Sequence, residues 1–374
     1  MSATYGELFS KSSSADVLNW TREQKCELIN AFWPYLHLAE DDYINKDYVA
    51  FFEFVGRMLQ DLYPHAPMFA LQDFNGIFAM VNTLRADRML ARKVIMDNIK
   101  KDYLNVYETS VARSMELVVR LWLGINVSSK GLSVGPRNPR DSRVDWQNDQ
   151  SLNEIITAQC FYKANSISST DYALDESFTA VNLKTVCRLR IRWTDNLLDH
   201  LRLEGPRGQR SLSIYRHKIS LINHRKEPEP TVIQKNFLDE TIRTLDLLFP
   251  FGDPKTEQFL AEENVQLYIV DPLEMPHTTD LDEFKYYRNS LVRLLNLLNG
   301  PPETVAQTLL DTRNLGQFVT LWVAIFGVFI LTILFGILTT IYSIKQYRVS
   351  VKSYELALAL ACQQNAPSPP GFCE

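Results

Sequence analysis

The chain has 374 residues, 46% hydrophobic and 22% charged, and 39 Lys and Arg against 44 Asp and Glu give a formal net charge of −5. That composition excludes a disordered tail protein, a collagen-like repeat and a disulfide miniprotein, and the near balance of charge builds in no global affinity for polyanions. The cysteines Cys26, Cys160, Cys187, Cys362 and Cys373 are odd in number and scattered, which implies neither a paired framework nor a zinc knuckle and points to a reducing compartment.

Residues 1–20 form a polar N-terminal segment with Ser10, Ser12, Ser13 and Ser14, no basic n-region and no apolar run. No cleaved secretory signal is expected there. Residues 21–312 read as a mainly helical soluble region. Thr21 followed by Gln24 resembles a capping box ahead of Leu28, Ile29, Phe32 and Trp33. A second helix carries Phe51, Phe52, Phe54, Val55, Met58, Leu59 and Leu62 at three- and four-residue steps and ends near Pro64. A third is predicted over about 69–96. A fourth sets Val111, Met115, Val118, Val119 and Trp122 on one face and stops near Gly124. At such spacing these aromatic and aliphatic stripes are core rather than ligand pocket.

The polar stretch 128–151 holds Gly131, Gly135, Pro136 and Pro139 and is a candidate subdomain boundary or exposed loop. Helices are predicted at about 153–162 and 177–187. The alternation of 188–193 then has the period of a half-buried strand. Residues 201–203 and 212–215 flank the turn Glu204-Gly-Pro-Arg-Gly208 and predict a hairpin. Helices resume at 231–248, and a later one is capped at its start by Asp280 and Glu283 and ended by Gly300-Pro-Pro302.

Residues 314–344 carry no formal charge, and their centre, 318–341, is mostly Val, Ile, Leu, Phe, Thr and Gly. A bilayer core needs about 20 apolar residues in a helix. A transmembrane helix is therefore expected over 317–344, with a short tail over 345–374. Trp322 and Tyr342, 20 positions apart, would sit ~30 Å apart, one at each interface, with Lys345 and Arg348 just beyond. Thr320, Ala324, Val328, Thr332, Gly336 and Thr340 recur every four residues, all small but Val328. That stripe suggests packing of two spans through Ala324, Thr332 and Gly336, and so a homodimer.

Several segments resemble a large family of uncharacterised filamentous-fungal proteins with one C-terminal membrane span. They are Ser114-Met-Glu-Leu-Val-Val-Arg-Leu-Trp-Leu123, Ile191-Arg-Trp-Thr-Asp-Asn-Leu-Leu-Asp-His-Leu201, Ser213-Ile-Tyr-Arg-His217, Thr244-Leu-Asp-Leu-Leu-Phe-Pro250 and the stretch 310–347. The resemblance covers most of the chain from about residue 110 onward. It implies a layout and no chemistry.

No motif assigns a reaction. Gly131-Leu-Ser133-Val-Gly135 matches the nucleophile-elbow pattern, but Pro136 and Pro139 follow where a helix must start, so Ser133 is not expected to be a nucleophile. Gly205 and Gly208 suit a hairpin turn, and no Gly-Lys-Ser/Thr phosphate loop exists in the chain. His200, His217 and His224 lie near Asp195 and Asp199, but a zinc site needs a convergent third ligand, so they are expected to be surface or capping histidines. No cofactor or metal is expected.

The one regional bias is electrostatic. Residues 188–226 hold ten basic and three acidic residues, net +7, and 227–312 hold six basic and 16 acidic, net −10. An anionic-surface contact through Arg188, Arg190, Arg192, Arg207, Arg210, Arg216 and Lys218 competes with a plainer reading, in which the basic segment packs on its acidic neighbour.

The expected fold class is mainly α: a helical soluble domain with a small β-hairpin element, plus one C-terminal transmembrane helix. The first functional expectation is a non-enzymatic, single-pass, membrane-anchored protein that binds a protein partner. The alternative is a peripheral binder of RNA or anionic lipid through 188–226, with nucleic acid the less favoured ligand, and an enzyme comes third. Lys345, Arg348 and Lys352 favour a cytosolic tail. The missing signal and the short tail favour a tail anchor with the soluble domain cytosolic, and that orientation is preferred here.

Overall fold

A computed structural model describes residues 5–129, 141–164, 174–269, 280–300 and 315–363. The chain divides into two compact units, Met1–Glu303 and Thr304–Glu374.

In the first unit, α1 (Ser13–Leu18) packs on α3 (Asn45–Leu62) where Gly56 lets the backbones meet: a Cβ there would lie 2.8 Å from Ser14 Cα. Between them, α2 (Arg22–Phe32) starts with the expected capping box. The Gln24 amide donates to Thr21 Oγ1 at 3.2 Å, and the Thr21 amide donates to Gln24 Oε1 at 2.9 Å.

The single helix expected over 69–96 is two. Asp73 caps α4 (Phe74–Ala86), accepting from the Gly76 amide at 2.8 Å, and a turn at 87–91 leads into α5 (Arg92–Lys100). Asn98 donates to Asp87 at 2.9 Å and ties α5 back to that turn. The apolar pattern runs on through Met89, Leu90 and Val94, but these side chains face solvent.

The fourth helix, α6 (Glu108–Leu123), ends as expected at Gly124, whose φ of 63° is left-handed. Its stripe is core: Val111, Met115, Val118, Val119 and Trp122 are buried, as are Phe51, Phe52 and Val55 on α3.

The polar stretch 128–151 opens and closes on a short parallel pair, β1 (Val127–Ser128) with β2 (Val144–Asp145), and Ser133 lies outside the described residues. Next come α7 (Leu152–Ala164), capped reciprocally by Ser151 and Glu154, and α8 (Ala180–Thr185).

A three-stranded sheet follows, β3 (Arg190–Thr194), β4 (Arg202–Glu204) and β5 (Ser211–Tyr215), in the order β3-β5-β4. β4 and β5 form the expected antiparallel hairpin, and β3 joins β5 in parallel, a pairing the local pattern did not specify. Paired residues share a face, so Ile191, Trp193, Leu203, Leu212 and Ile214 turn to the core while Arg190, Arg192, Arg202, Glu204, Ser211 and Ser213 take the other side.

The remaining α-helices among the described residues of this unit are α9 (Lys218–Arg225), α10 (Lys235–Leu248), α11 (Pro254–Glu262) and α12 (Arg288–Asn299). Asp280 caps only a short 3-10 turn, Leu281–Glu283, and α12 begins later than expected. Glu240 of α10 supplies the missing acceptor: its carboxylate takes the amides of Lys285, Tyr286 and Tyr287 at 2.8, 2.7 and 2.5 Å.

The second unit contains α13 (Leu315–Gln363), which continues 19 residues past Ile344. It is long and apolar enough to cross a membrane, and none of its most apolar window is buried.

Candidate functional site

The sheet brings four of the seven anionic-surface candidates to one end. β3 and β5 both start there, the Arg190 amide donates to the Arg210 carbonyl at 3.0 Å, and the tip between β4 and β5 carries Arg207. Gly205 and Gly208, with φ of 97° and 77°, make that tight turn possible. Arg188, Arg190 and Arg207 expose their side chains, and none has an acidic partner among the described residues.

Five other basic residues of this segment are tied down, while Lys226 at the end of α9 is exposed. Arg192 reaches Glu204 at 3.7 Å and donates to Ser213 Oγ at 2.7 and 3.0 Å. Arg202 pairs with Asp199 at 2.7 Å and with Glu204. Arg216 pairs with Asp195 at 2.6 Å. Lys218, itself buried, pairs with Asp246 at 2.5 Å, and Arg225 pairs with Asp239 at 2.6 Å. The last two pairs join the basic segment to its acidic neighbour.

A second polar centre surrounds Asp195 in the loop after β3. Its Oδ1 accepts from Arg216 Nε at 2.6 Å and from His217 Nε2 at 2.8 Å, while Oδ2 accepts from Arg57 of α3 at 2.7 Å. Burial alone would raise the Asp195 pKa, but the His217 hydrogen bond and the two guanidiniums outweigh it and hold the carboxyl well below the usual range. Burial pushes His217 below the ordinary histidine value, against the pull of Asp195. The result is a charged lock joining α3, the β3 exit and the β5 exit.

The three histidines are not the surface residues expected, each being about 2% exposed, although His224 does cap a carbonyl in the last turn of α6. His200 engages both nitrogens, accepting from the Tyr215 amide at Nδ1 (3.2 Å) and so presenting Nε2–H to Thr244 Oγ1 (2.8 Å). His224 donates from Nε2 to the Trp122 carbonyl at 3.0 Å, and burial lowers its pKa to about 4. Among the described residues, no group of three His, Cys, Asp or Glu is placed to hold a metal ion.

A cleft of about 480 Å³ opens beside β4, lined by His200, Arg202, Leu203, Tyr286, Asn289 and Arg293. Arg202 and His200 already have internal partners, which leaves Arg293 as the cleft's one cation without an ion pair among the described residues.

Sequence patterning missed several exposed apolar side chains around α5. Met89, Leu90 and Val94 stand out at the start of α5, and past its end Leu104 and Tyr107 are 79% and 83% exposed. Met89, Leu90 and Val94 fall inside the run 69–96 expected to be one helix, whereas Leu104 and Tyr107 lie in no predicted element.

On α13, Trp322 stacks on Phe326 with centroids 5.5 Å apart, and the Lys345 ammonium lies 5.9 Å from the Tyr342 ring centroid. Ala324, Thr332, Gly336 and Arg348 all face outward. Nothing lies within 4 Å of a Cβ added at Gly336, and Thr332 returns its hydroxyl to the Val328 carbonyl at 2.8 Å. No protein-family model, curated protein or solved structure matches this chain.

Proposed function

We propose that this chain is a single-pass, membrane-anchored interaction protein whose soluble unit meets a protein partner. The observation that carries the reading is α13, apolar on every side over a length able to span a bilayer and with none of its apolar window buried. The same layout is what the resemblance to the filamentous-fungal family implies. The soluble unit exposes five large apolar side chains around α5, Met89, Leu90, Val94, Leu104 and Tyr107, which supports a partner-docking edge there.

The orientation we infer places the soluble unit in the cytosol and the end of α13 across the membrane. Cys26, Cys160 and Cys187 of the first unit are buried thiols, which suits a reducing compartment.

Two measurements on the full chain test the reading. Alkaline carbonate should leave the protein in the membrane pellet. A photo-crosslinker at position 104 or 107 should give a discrete heteromeric adduct that one at exposed Asp41 does not. Release into the supernatant would remove the anchor, and equal labelling from all three positions would remove the docking edge.

A further inference from the structure

Eight of the ten basic residues between 188 and 226 fall into two sets, and Lys226, exposed at the end of α9, belongs to neither. Arg192, Arg202, Arg216, Lys218 and Arg225 spend their charge on carboxylates within the unit. Arg188, Arg190 and Arg207 are delivered to one sheet end by the parallel start of β3 and β5 and by the hairpin tip, with their side chains in solvent. Arg210 lies at the same end, half-buried. Arg188 also adopts a left-handed backbone, φ 56°, a conformation unfavourable for a residue with a side chain. The nearest carboxylate in the sheet, Glu204, is already engaged by Arg192 and Arg202.

We infer that this basic sheet end, Arg188, Arg190 and Arg207 with the tip at Gly205–Gly208, docks on the anionic headgroups of the bilayer that holds α13. The inference rests on the membrane anchorage proposed above. Fourteen residues lie between Gly300 and Leu315, a reach of at most about 50 Å, so the bilayer is a permanent neighbour of the soluble unit. The cytosolic leaflet, where the preferred orientation puts this unit, is the anionic one. Unpaired guanidiniums suit phosphate and carboxylate groups, which they contact in forked pairs. Each basic residue near such a surface is worth about fivefold in occupancy, so three give roughly a hundredfold bias toward the docked state.

The test uses the full chain in nanodiscs, of phosphatidylcholine alone or with about a third phosphatidylserine, and reads hydrogen exchange of the amides at 188–190 and 204–211. Exchange there should slow at least fivefold in the anionic discs only, return to the neutral-disc rate in 0.5 M salt, and stay fast in Arg188→Gln/Arg190→Gln/Arg207→Gln. The wild-type comparison between lipids and salts stands even if that variant is poorly folded. Rates equal in both discs would overturn the inference, as would slowing that survives in a folded triple variant. Slowing produced instead by a single-stranded RNA 20-mer over neutral discs would overturn it in favour of nucleic acid. Carbonate extraction is independent of these outcomes: an anchored protein with lipid-insensitive exchange loses this inference alone.

Discussion

At Gly124 the chain leaves α6 with φ of 63°, and a Cβ there would fall 2.6 Å from Tyr215 Oη. The same residue's carbonyl accepts the Leu197 amide at 2.7 Å, so this turn seats the loop that carries Asp195. Gly124→Ala adds a left-handed penalty to a clash with a buried ring and should cost about 2–4 kcal/mol of unfolding free energy, measured by urea denaturation. His224 supplies a pH dependence. Its folded pKa of about 4 lies below the ordinary 6.5, so its contribution is present in full above pH 6.5 and is lost as pH falls toward 4. The upper bound of that loss is about 3 kcal/mol. Burial raises Glu116, Glu227 and Glu240, whose contributions move in the opposite sense, growing as pH falls. Comparing His224→Gln with wild type isolates the histidine: the variant's Tm should fall less between pH 6.5 and 4.5, and parallel slopes would refute the assignment. Residue-scale features were legible where partners are close in sequence, as with Thr21 and Gln24. They were hidden where the partner is distant, as with Glu240 taking amides more than forty residues away.

Helices followed from apolar spacing because a buried stripe at 3.6-residue period leaves its mark in any sequence. The same rule failed at 87–91, where Met89 and Leu90 fit the period but the chain turns, because periodicity reports apolarity and not what covers it. The β4–β5 hairpin was legible from its glycines. The parallel β3–β5 pairing was not, because it depends on a crossover whose geometry no local signal fixes, and with it the convergence of Arg188, Arg190 and Arg207 stayed hidden. For α13 the small-residue stripe leads to a proposed close pairing of two spans. Thr332 and Thr340 both return their hydroxyls to carbonyls one turn back, at 2.8 Å each, so that pairing would rest on close packing rather than on threonine hydrogen bonds. Gly336, with nothing within 4 Å of an added Cβ in the single helix, tolerates Ile in the monomer. Gly336→Ile should therefore leave insertion unchanged while lowering a span-association reporter signal at least threefold. An unchanged signal would mean that the stripe packs against nothing.

For the molecule as a whole, anchorage and orientation make separable demands. Lys345, Arg348 and Lys352 follow the apolar stretch and favour a cytosolic end for α13, while the buried thiols of the first unit favour the reverse. Long domains obey charge bias poorly, which gives the cysteines the greater weight. Two glycan acceptor sequons, Asn19-Trp-Thr21 and Asn126-Val-Ser128, report on the choice, and the fold makes them unequal. Asn126 is only 8% exposed and sits between α6 and β1, where a bulky sugar has no room. Asn19, at the end of α1, is exposed and would be modified if the soluble unit were lumenal. The expected outcome is no glycosidase-sensitive mobility shift for the wild-type chain. A Leu360→Asn/Cys362→Thr variant, which creates an acceptor of its own near the far end of α13, should acquire one. A shift in the wild type that disappears in Asn19→Gln and persists in Asn126→Gln would reverse the orientation and leave the anchor itself in place.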